Sequence, residues 1–226
     1  FNPTQLPNPF MCGRYTLHRS REQLAEALGI ALSDAFEHSP DYNIAPGRGV
    51  LALQKNGLTE MHWGLRTPQN FHVNARLETA DSTPRFRDSW TAQRCLIPAN
   101  GFYEWLKDGV RKQPHYISTV SKELMYFGAL WFESKQSEFS AHCVILTTEA
   151  QDSIQEIHHR MPVCIPQVAH SEWFNHSMDT QRAAQITQDL TLEFCPVSNR
   201  VNSVHNNDSS LVNATPLQGD DQMQFF

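Results

Sequence analysis

The sequence has no C-x-x-C pair among its five cysteines. An odd count without that spacing argues against a disulfide framework or a structural zinc site and fits a reducing cytosol. Helical H-E-x-x-H spacing is also missing, so the histidines do not read as a metalloprotease pair. No run approaches the ~20 apolar residues of a membrane span. The N-terminus lacks a basic region followed by an apolar one, so no secretory signal is expected. There is no basic excess either: the formal net charge is -6. A domain that grips phosphates broadly carries positive charge, so any nucleic-acid site here must be a local basic surface on an acidic body. No repeat of fixed period is present.

What is present describes an ordinary globular chain. With 226 residues, 40% of them hydrophobic and 19% charged, it suffices for one domain with a sizeable core. Residues 1–10 carry three prolines and no charge, and read as a leader or appended segment. Met11 then reads as the initiator, residues 11–216 as the domain, and 217–226 as a polar tail.

Strand signals dominate the domain. Val50–Gln54, Asn56-Gly57 and Leu58–Trp63 predict a hairpin with a type I′ turn. Phe102–Leu106, Asp108-Gly109 and His115–Val120 predict a second. Met125–Phe132 and His142–Thr148 read as buried strands, with Val163–Ile165 and Phe194–Val197 as shorter ones. Helices are fewer and short: Arg21–Leu28 behind a cap at Ser20, Ala75–Ala80, Gln151–Ile157, Ser171–Phe174 and Thr180–Leu190. Strands without βαβ alternation predict an α+β fold: one compact β-rich domain of mainly antiparallel, barrel-like twisted sheet with short flanking helices.

Cys95, Cys143 and Cys164 sit in apolar stretches and read as small buried hydrophobes. Cys12 differs, flanked by Met11 and Gly13-Arg14. If Met11 is the initiator, its removal leaves Cys12 N-terminal, with a thiol and an α-amine on one carbon framework. The amine, with a pKa near ~7.7–8.0, is partly neutral and nucleophilic at cellular pH. An aldehyde can form a Schiff base with it, and the thiol can then close a thiazolidine ring. An internal cysteine cannot do this, because its nitrogen is an amide. The ordinary alternative is a buried, inert thiol.

Asn74-Ala75-Arg76-Leu77-Glu78-Thr79 places a carboxamide, a guanidinium and a carboxylate together. Asn74 can orient a carbonyl or its adduct, or simply cap a helix, and Arg76 can hold phosphate. Glu104 lies among aromatics in Gly101-Phe102-Tyr103-Glu104-Trp105, on one strand face with Phe102 and Leu106. Burial there raises a carboxyl pKa and suits a proton shuttle. His158 and His159 point in different directions, so one can be an acid/base and the other structural. Trp63 can stack on an unpaired base, worth ~1–3 kcal/mol, or belong to the core, the default for a strand Trp.

Taken together, Met11-Cys12-Gly13-Arg14-Tyr15, Tyr42-Asn43-Ile44-Ala45-Pro46-Gly47, Trp63-Gly64-Leu65, Asn74 to Thr79, Arg94 to Trp105 and Ile157-His158-His159-Arg160-Met161-Pro162 resemble the SOS-response-associated peptidase (SRAP) family. They occur in family order to about Pro216, and Val201-Asn202-Ser203-Val204 is similar to the family's closing stretch. The resemblance implies a cytoplasmic DNA-damage and SOS-response protein whose groove takes single-stranded DNA bearing abasic sites. It implies that Cys12, once N-terminal, forms a thiazolidine with the ring-opened sugar. Asn74 is expected to hold the adduct, Glu104 to manage the proton of the α-amine, and His158 to act as acid/base in ring opening and crosslink reversal. Arg14, Arg76 and Arg160 are the implied phosphate contacts, with Trp63 near the bases, Asn43 beside them, and Arg85 and Arg87 as further candidates. No metal or organic cofactor is implied, and nothing demands more than a monomer. Related proteins are also described as thiol autopeptidases and abasic-site lyases. In this chain ten residues precede Met11, so the amine of Cys12 is blocked until they are removed. Asn100 stands where the family often has Asp. A cysteine-type autopeptidase and a noncovalent single-strand binding module remain as alternatives.

Overall fold

A computed structural model describes residues 12–32, 36–109, 111–134 and 139–216; the expected leader, Met11 and the whole of the expected tail lie outside them. The first half contains β1 (Tyr15–Leu17), α1 (Arg21–Leu28), β2 (Asp41–Ile44), β3 (Gly49–Gln54), β4 (Gly57–Trp63), β5 (Leu65–Arg66), β6 (Phe71–His72), β7 (Asn74–Arg76) and α2 (Arg87–Ala92). Four longer strands follow: β8 (Arg94–Ala99), β9 (Gly101–Asp108), β10 (Arg111–Thr119) and β11 (Met125–Glu133). The remainder is β12 (Ala141–Glu149), α3 (Asp152–Gln155), β13 (Arg160–Pro162), α4 (His170–Trp173), α5 (Thr180–Gln188) and β14 (Leu192–Pro196). This is the expected α+β fold of mainly antiparallel sheet with short helices.

Two sheets carry the architecture. One has the order β14-β10-β9-β1-β2. The other runs β11-β8-β3-β4-β12-β13, and β12 also pairs with β11 and β7. The path β11-β8-β3-β4-β12 therefore returns to β11 and closes a barrel, which removes exposed edges. Edge-to-face contacts of Tyr15 with Trp63 and Phe127, and of Phe102 with Phe127, fill the space between the two sheets. All four rings are buried, so they dominate the apolar area taken from water.

Local sequence explains several boundaries. Ser20 caps α1 in a full capping box with Gln23, and Gly29 ends that helix in the left-handed conformation. Asp179 caps α5 by accepting from the Arg182 N–H. The first hairpin forms, but its turn falls one residue earlier than expected. Gln54 pairs with Gly57, and the positive φ, +136°, belongs to Gly57 while Lys55 and Asn56 keep negative φ. The turn is thus not type I′, which needs positive φ at both central residues.

One helix prediction fails at the site itself. Asn74–Arg76 is a strand, parallel to β12 with Asn74 opposite Ile145 and Arg76 opposite Thr147. Only Leu77–Thr79 turns, as a 3-10 helix, and Asn74 caps nothing. Pairing along an available sheet edge overrides local helix propensity there. The expected strand at Val163–Ile165 begins earlier, at Arg160, with Cys164 left as an isolated bridge to Phe127.

Candidate active site

Cys12 is brought to its partners by the start of β1. Tyr15 pairs with Phe102 on β9, and the Tyr103 N–H donates to the Arg14 carbonyl at 2.9 Å. That register lays Cys12 alongside Glu104, two residues further along β9. The Cys12 backbone N–H donates to Glu104 Oε1 at 2.7 Å. Cys12 itself has φ +49°, a left-handed conformation that costs a non-glycine residue of order 1 kcal/mol or more.

Glu104 shares the face of Phe102, and the two are 4% and 1% exposed, which agrees with the expectation that the apolar neighbour counts against exposure. Tyr103 on the other face is buried as well, so both sides of β9 are covered here. Burial pushes the Glu104 carboxyl up to about 7, against the lowering effect of the hydrogen bonds from Cys12 and the Trp105 N–H. Burial, reinforced by Glu104, likewise holds the Cys12 thiol well above the ordinary thiol range. The resting sulfur is thus a thiol beside a carboxyl that is half ionised near neutrality.

The third partner arrives on β13. Cys12 Sγ lies 3.9 Å from the Arg160 carbonyl oxygen. His158 Nδ1 lies 3.1 Å from both the Arg160 backbone nitrogen and the Arg160 carbonyl oxygen, so it accepts from the first in one neutral tautomer and donates to the second in the other. His158 is half-buried, and its ring stacks on His159 at 4.5 Å. Burial lowers the His158 pKa; His159, Lys107 and Arg160 lower it further, while the hydrogen bond with Arg160 opposes them. Cys12, Glu104 and His158 are therefore gathered around one strand end. Asn74 lies on β7, half-buried, with its Nδ2 donating to the Ile145 carbonyl at 3.4 Å. Its partner on β12 is Ile145, whereas that of Arg160 is Glu149, four residues further on, and among the described residues no hydrogen bond links Asn74 to Cys12, Glu104 or His158.

The expected DNA contacts divide. Arg76 is exposed and has no hydrogen bond or ion pair among the described residues, so its guanidinium is available. Arg14 donates to Asn43 Oδ1 and to the Val201 carbonyl, both at 2.7 Å. Asn43 is buried and donates to the carbonyls of Val201, Ser203 and Asn206. These two residues bind the chain's closing stretch to β2. Trp63 corrects the stacking expectation: it is fully buried against Tyr15, with Nε1 donating to the Val73 carbonyl at 3.0 Å. A ring with both faces in the core offers none to a base. Arg160 is also buried, its terminal nitrogens held by Glu78 and Thr147; what it presents to Cys12 and His158 is backbone. Of the further candidates, Arg85 contacts His72 and Arg87 contacts Asp88. Glu78, Lys107 and Thr147 carry no signal of a role in the sequence: Glu78 belongs to the Asn74–Thr79 motif, but its partner Arg160 is 82 positions away.

Among the described residues, no group of three or more His, Cys, Asp or Glu side chains is placed to hold a metal ion. No helix among them is long and apolar enough to cross a membrane.

A buried thiol, a carboxyl poised near neutrality and an imidazole, meeting where β1, β9 and β13 converge, define a cysteine-centred site with its own acid–base groups. The model of the SOS response associated peptidase (SRAP) family matches residues 11–204, and the chain belongs to that family. It is 34% identical to the abasic site processing protein YoaM of Bacillus subtilis, across 90% of this chain and 98% of that one. It is 27% identical to the abasic site processing protein YedK of Escherichia coli, across 89% and 99%. A crystal structure of a protein from Bacteroides thetaiotaomicron superposes with a TM-score of 0.77 at 20% identity, covering 91% of this chain and all of that one, a likeness of fold.

Proposed function

We propose that this protein, acting as a cytoplasmic monomer, captures abasic sites in single-stranded DNA covalently through Cys12 once the residues before it are removed. The relatives at 27–34% identity are named abasic site processing proteins. The observation that carries the reading is the 2.7 Å contact of the Cys12 nitrogen with the buried Glu104 carboxylate. In the intact chain that nitrogen is an amide. Freed, it becomes an amine whose proton Glu104 is placed to take, and a carboxyl at about 7 is matched to that exchange.

The chemistry balances without a cofactor. His158 gives a proton to the ring oxygen and the anomeric hydroxyl gives up its own to solvent, so the abasic deoxyribose opens to its aldehyde with no net change in protons. The neutral α-amine adds to the aldehyde carbon, and the carbinolamine loses one water to give the imine. The thiol then adds across the imine: sulfur bonds to carbon, and the nitrogen regains a proton through Glu104. The product is a five-membered thiazolidine. A thiol held protonated by burial suits a step that needs sulfur only after the imine exists. The second reading, self-cleavage before Cys12 with the thiol as nucleophile, is favoured by the left-handed conformation at Cys12.

The test is a denaturing gel of single-stranded DNA bearing one abasic site. The chain as given is run beside protein processed to begin at Cys12, with circular dichroism to confirm that both fold. A denaturant-resistant band from the processed protein alone is expected, absent in Cys12→Ala. A band that survives Cys12→Ala refutes the reading. Disappearance of residues 1–11 on storage, seen by intact-mass spectrometry and blocked in Cys12→Ala, would establish self-cleavage.

A further inference from the structure

We infer that Glu78 is a positioning residue for this reaction: its ion pair with Arg160 clamps the end of β7, the strand bearing Asn74, to the first residue of β13, whose carbonyl lies beside Cys12 Sγ and which follows His158 by two residues. The inference rests on the capture reading for its chemistry and on the sheet for its geometry. At Thr147, β12 has β7 on one edge and β13 on the other, since Thr147 is paired with both Arg76 and Pro162. No main-chain ladder therefore joins β7 to β13. Glu78, two residues past β7, spans β12 with its side chain. Its Oε1 and Oε2 receive Arg160 Nη1 and Nη2 at 2.7 and 2.9 Å, a bidentate fork that fixes direction as well as distance.

Neighbouring bonds lock the bridge. Arg160 Nη2 also donates to the carbonyl and hydroxyl of Thr147, and Thr148 Oγ1 donates to Glu78 Oε1 at 3.3 Å. Arg160 Nε is buried without a partner, so the guanidinium is held only through its terminal nitrogens, by the Glu78 fork and by Thr147. The Arg160 side chain is 9% exposed, and a buried cation that loses its counterion cannot stay where it is at low cost. Movement of Arg160 moves its backbone, which is 3.9 Å from Cys12 Sγ and hydrogen-bonded to His158 Nδ1. Burial pushes the Glu78 carboxyl up, but the hydrogen bonds from Arg160 outweigh this and hold it below the ordinary range, so it stays charged at neutral pH.

Glu78→Gln keeps the shape and removes the charge. Protein processed to begin at Cys12 is mixed in excess with single-stranded DNA carrying one abasic site, and adduct formation is followed in a single turnover. The rate constant from the bound complex is expected to fall about tenfold or more, while affinity for the same strand without the lesion is unchanged. Arg160→Lys added to Glu78→Gln should cost little more, because both act through one bridge. In parallel, the His158 ring is titrated by NMR in the full chain. Its midpoint should move further down, since Arg160, which already opposes protonation beside His159 and Lys107, loses the negative charge that offsets it. An unchanged rate constant, or a loss of affinity that accounts for the whole effect, overturns the inference. If wild-type protein forms no adduct, the capture reading fails by itself; an unmoved His158 midpoint then overturns the clamp independently. Should Glu78→Gln not fold, Thr148→Val, which removes one bond to the carboxylate and keeps its charge, is read by the single-turnover rate constant: a fall is expected, and an unchanged value overturns the inference.

Discussion

Glu104→Gln should make the full-length chain more stable at alkaline pH and leave it unchanged in acid. Burial moves the Glu104 carboxyl from its ordinary 4.5 to about 7, so the folded state holds that proton more tightly than the unfolded state. Below pH ~4.5 the group is protonated in both states and exerts no effect. Between ~4.5 and ~7 the folded state binds more protons, so stability falls as pH rises, and the full cost is present above ~7. At 1.36 kcal/mol per pH unit, the displacement from 4.5 to about 7 corresponds to roughly 3 kcal/mol. Gln is isosteric with the protonated acid, and its Oε1 still accepts from the Cys12 N–H. In a chain of this size the variant should therefore melt about 6–12 °C above wild type at pH 8 and together with it at pH 4.5. The assay is thermal unfolding of both proteins from pH 4.5 to 8.5, plotted as their difference so that other titrations cancel. A difference that does not vary with pH refutes the assignment of the buried charge. In protein beginning at Cys12, the ammonium beside Glu104 favours the carboxylate, so the wild-type cost should shrink.

Asn74→Ala should slow adduct formation by roughly 10²-fold without shifting the melting temperature by more than a few degrees, measured by gel kinetics beside calorimetry. Arg76→Ala should weaken binding of single strands of any sequence and reduce the slope of log affinity against log salt by about 0.7, read by fluorescence anisotropy over a salt series. Trp63→Ala should destabilise the protein by about 3–5 kcal/mol in urea unfolding; a variant of wild-type stability that bound DNA more weakly would return this residue to the DNA interface.

Much of the fold follows from local rules. Ser20 with Gln23, and Asp179 ahead of α5, mark helix starts because capping is satisfied within three residues of chain. The hairpin β3–β4 is legible because Gly57 supplies a backbone angle that few residues tolerate, and an apolar run around Glu104 marks a strand covered by its neighbours. Three site residues, Cys12, Glu104 and His158, were each legible as chemically unusual, and the co-linear motifs joined them before any distance was known.

Tertiary structure decided what no local pattern encodes. Asn74–Arg76 is a strand because β12 has an open edge beside it; the same residues read alone favour a helix. Trp63 is core because the second sheet brings Tyr15 against its ring, and strand periodicity cannot say which aromatic is covered. Arg14, Asn43 and Arg160 read as free polar groups, and each side chain is committed to partners 13 to 187 positions away. Sequence by itself determined which groups exist and how the backbone starts and turns, because those preferences act within a few residues. Whether a charge is free or spent, or a thiol exposed or desolvated, depends on what the closed barrel brings beside it.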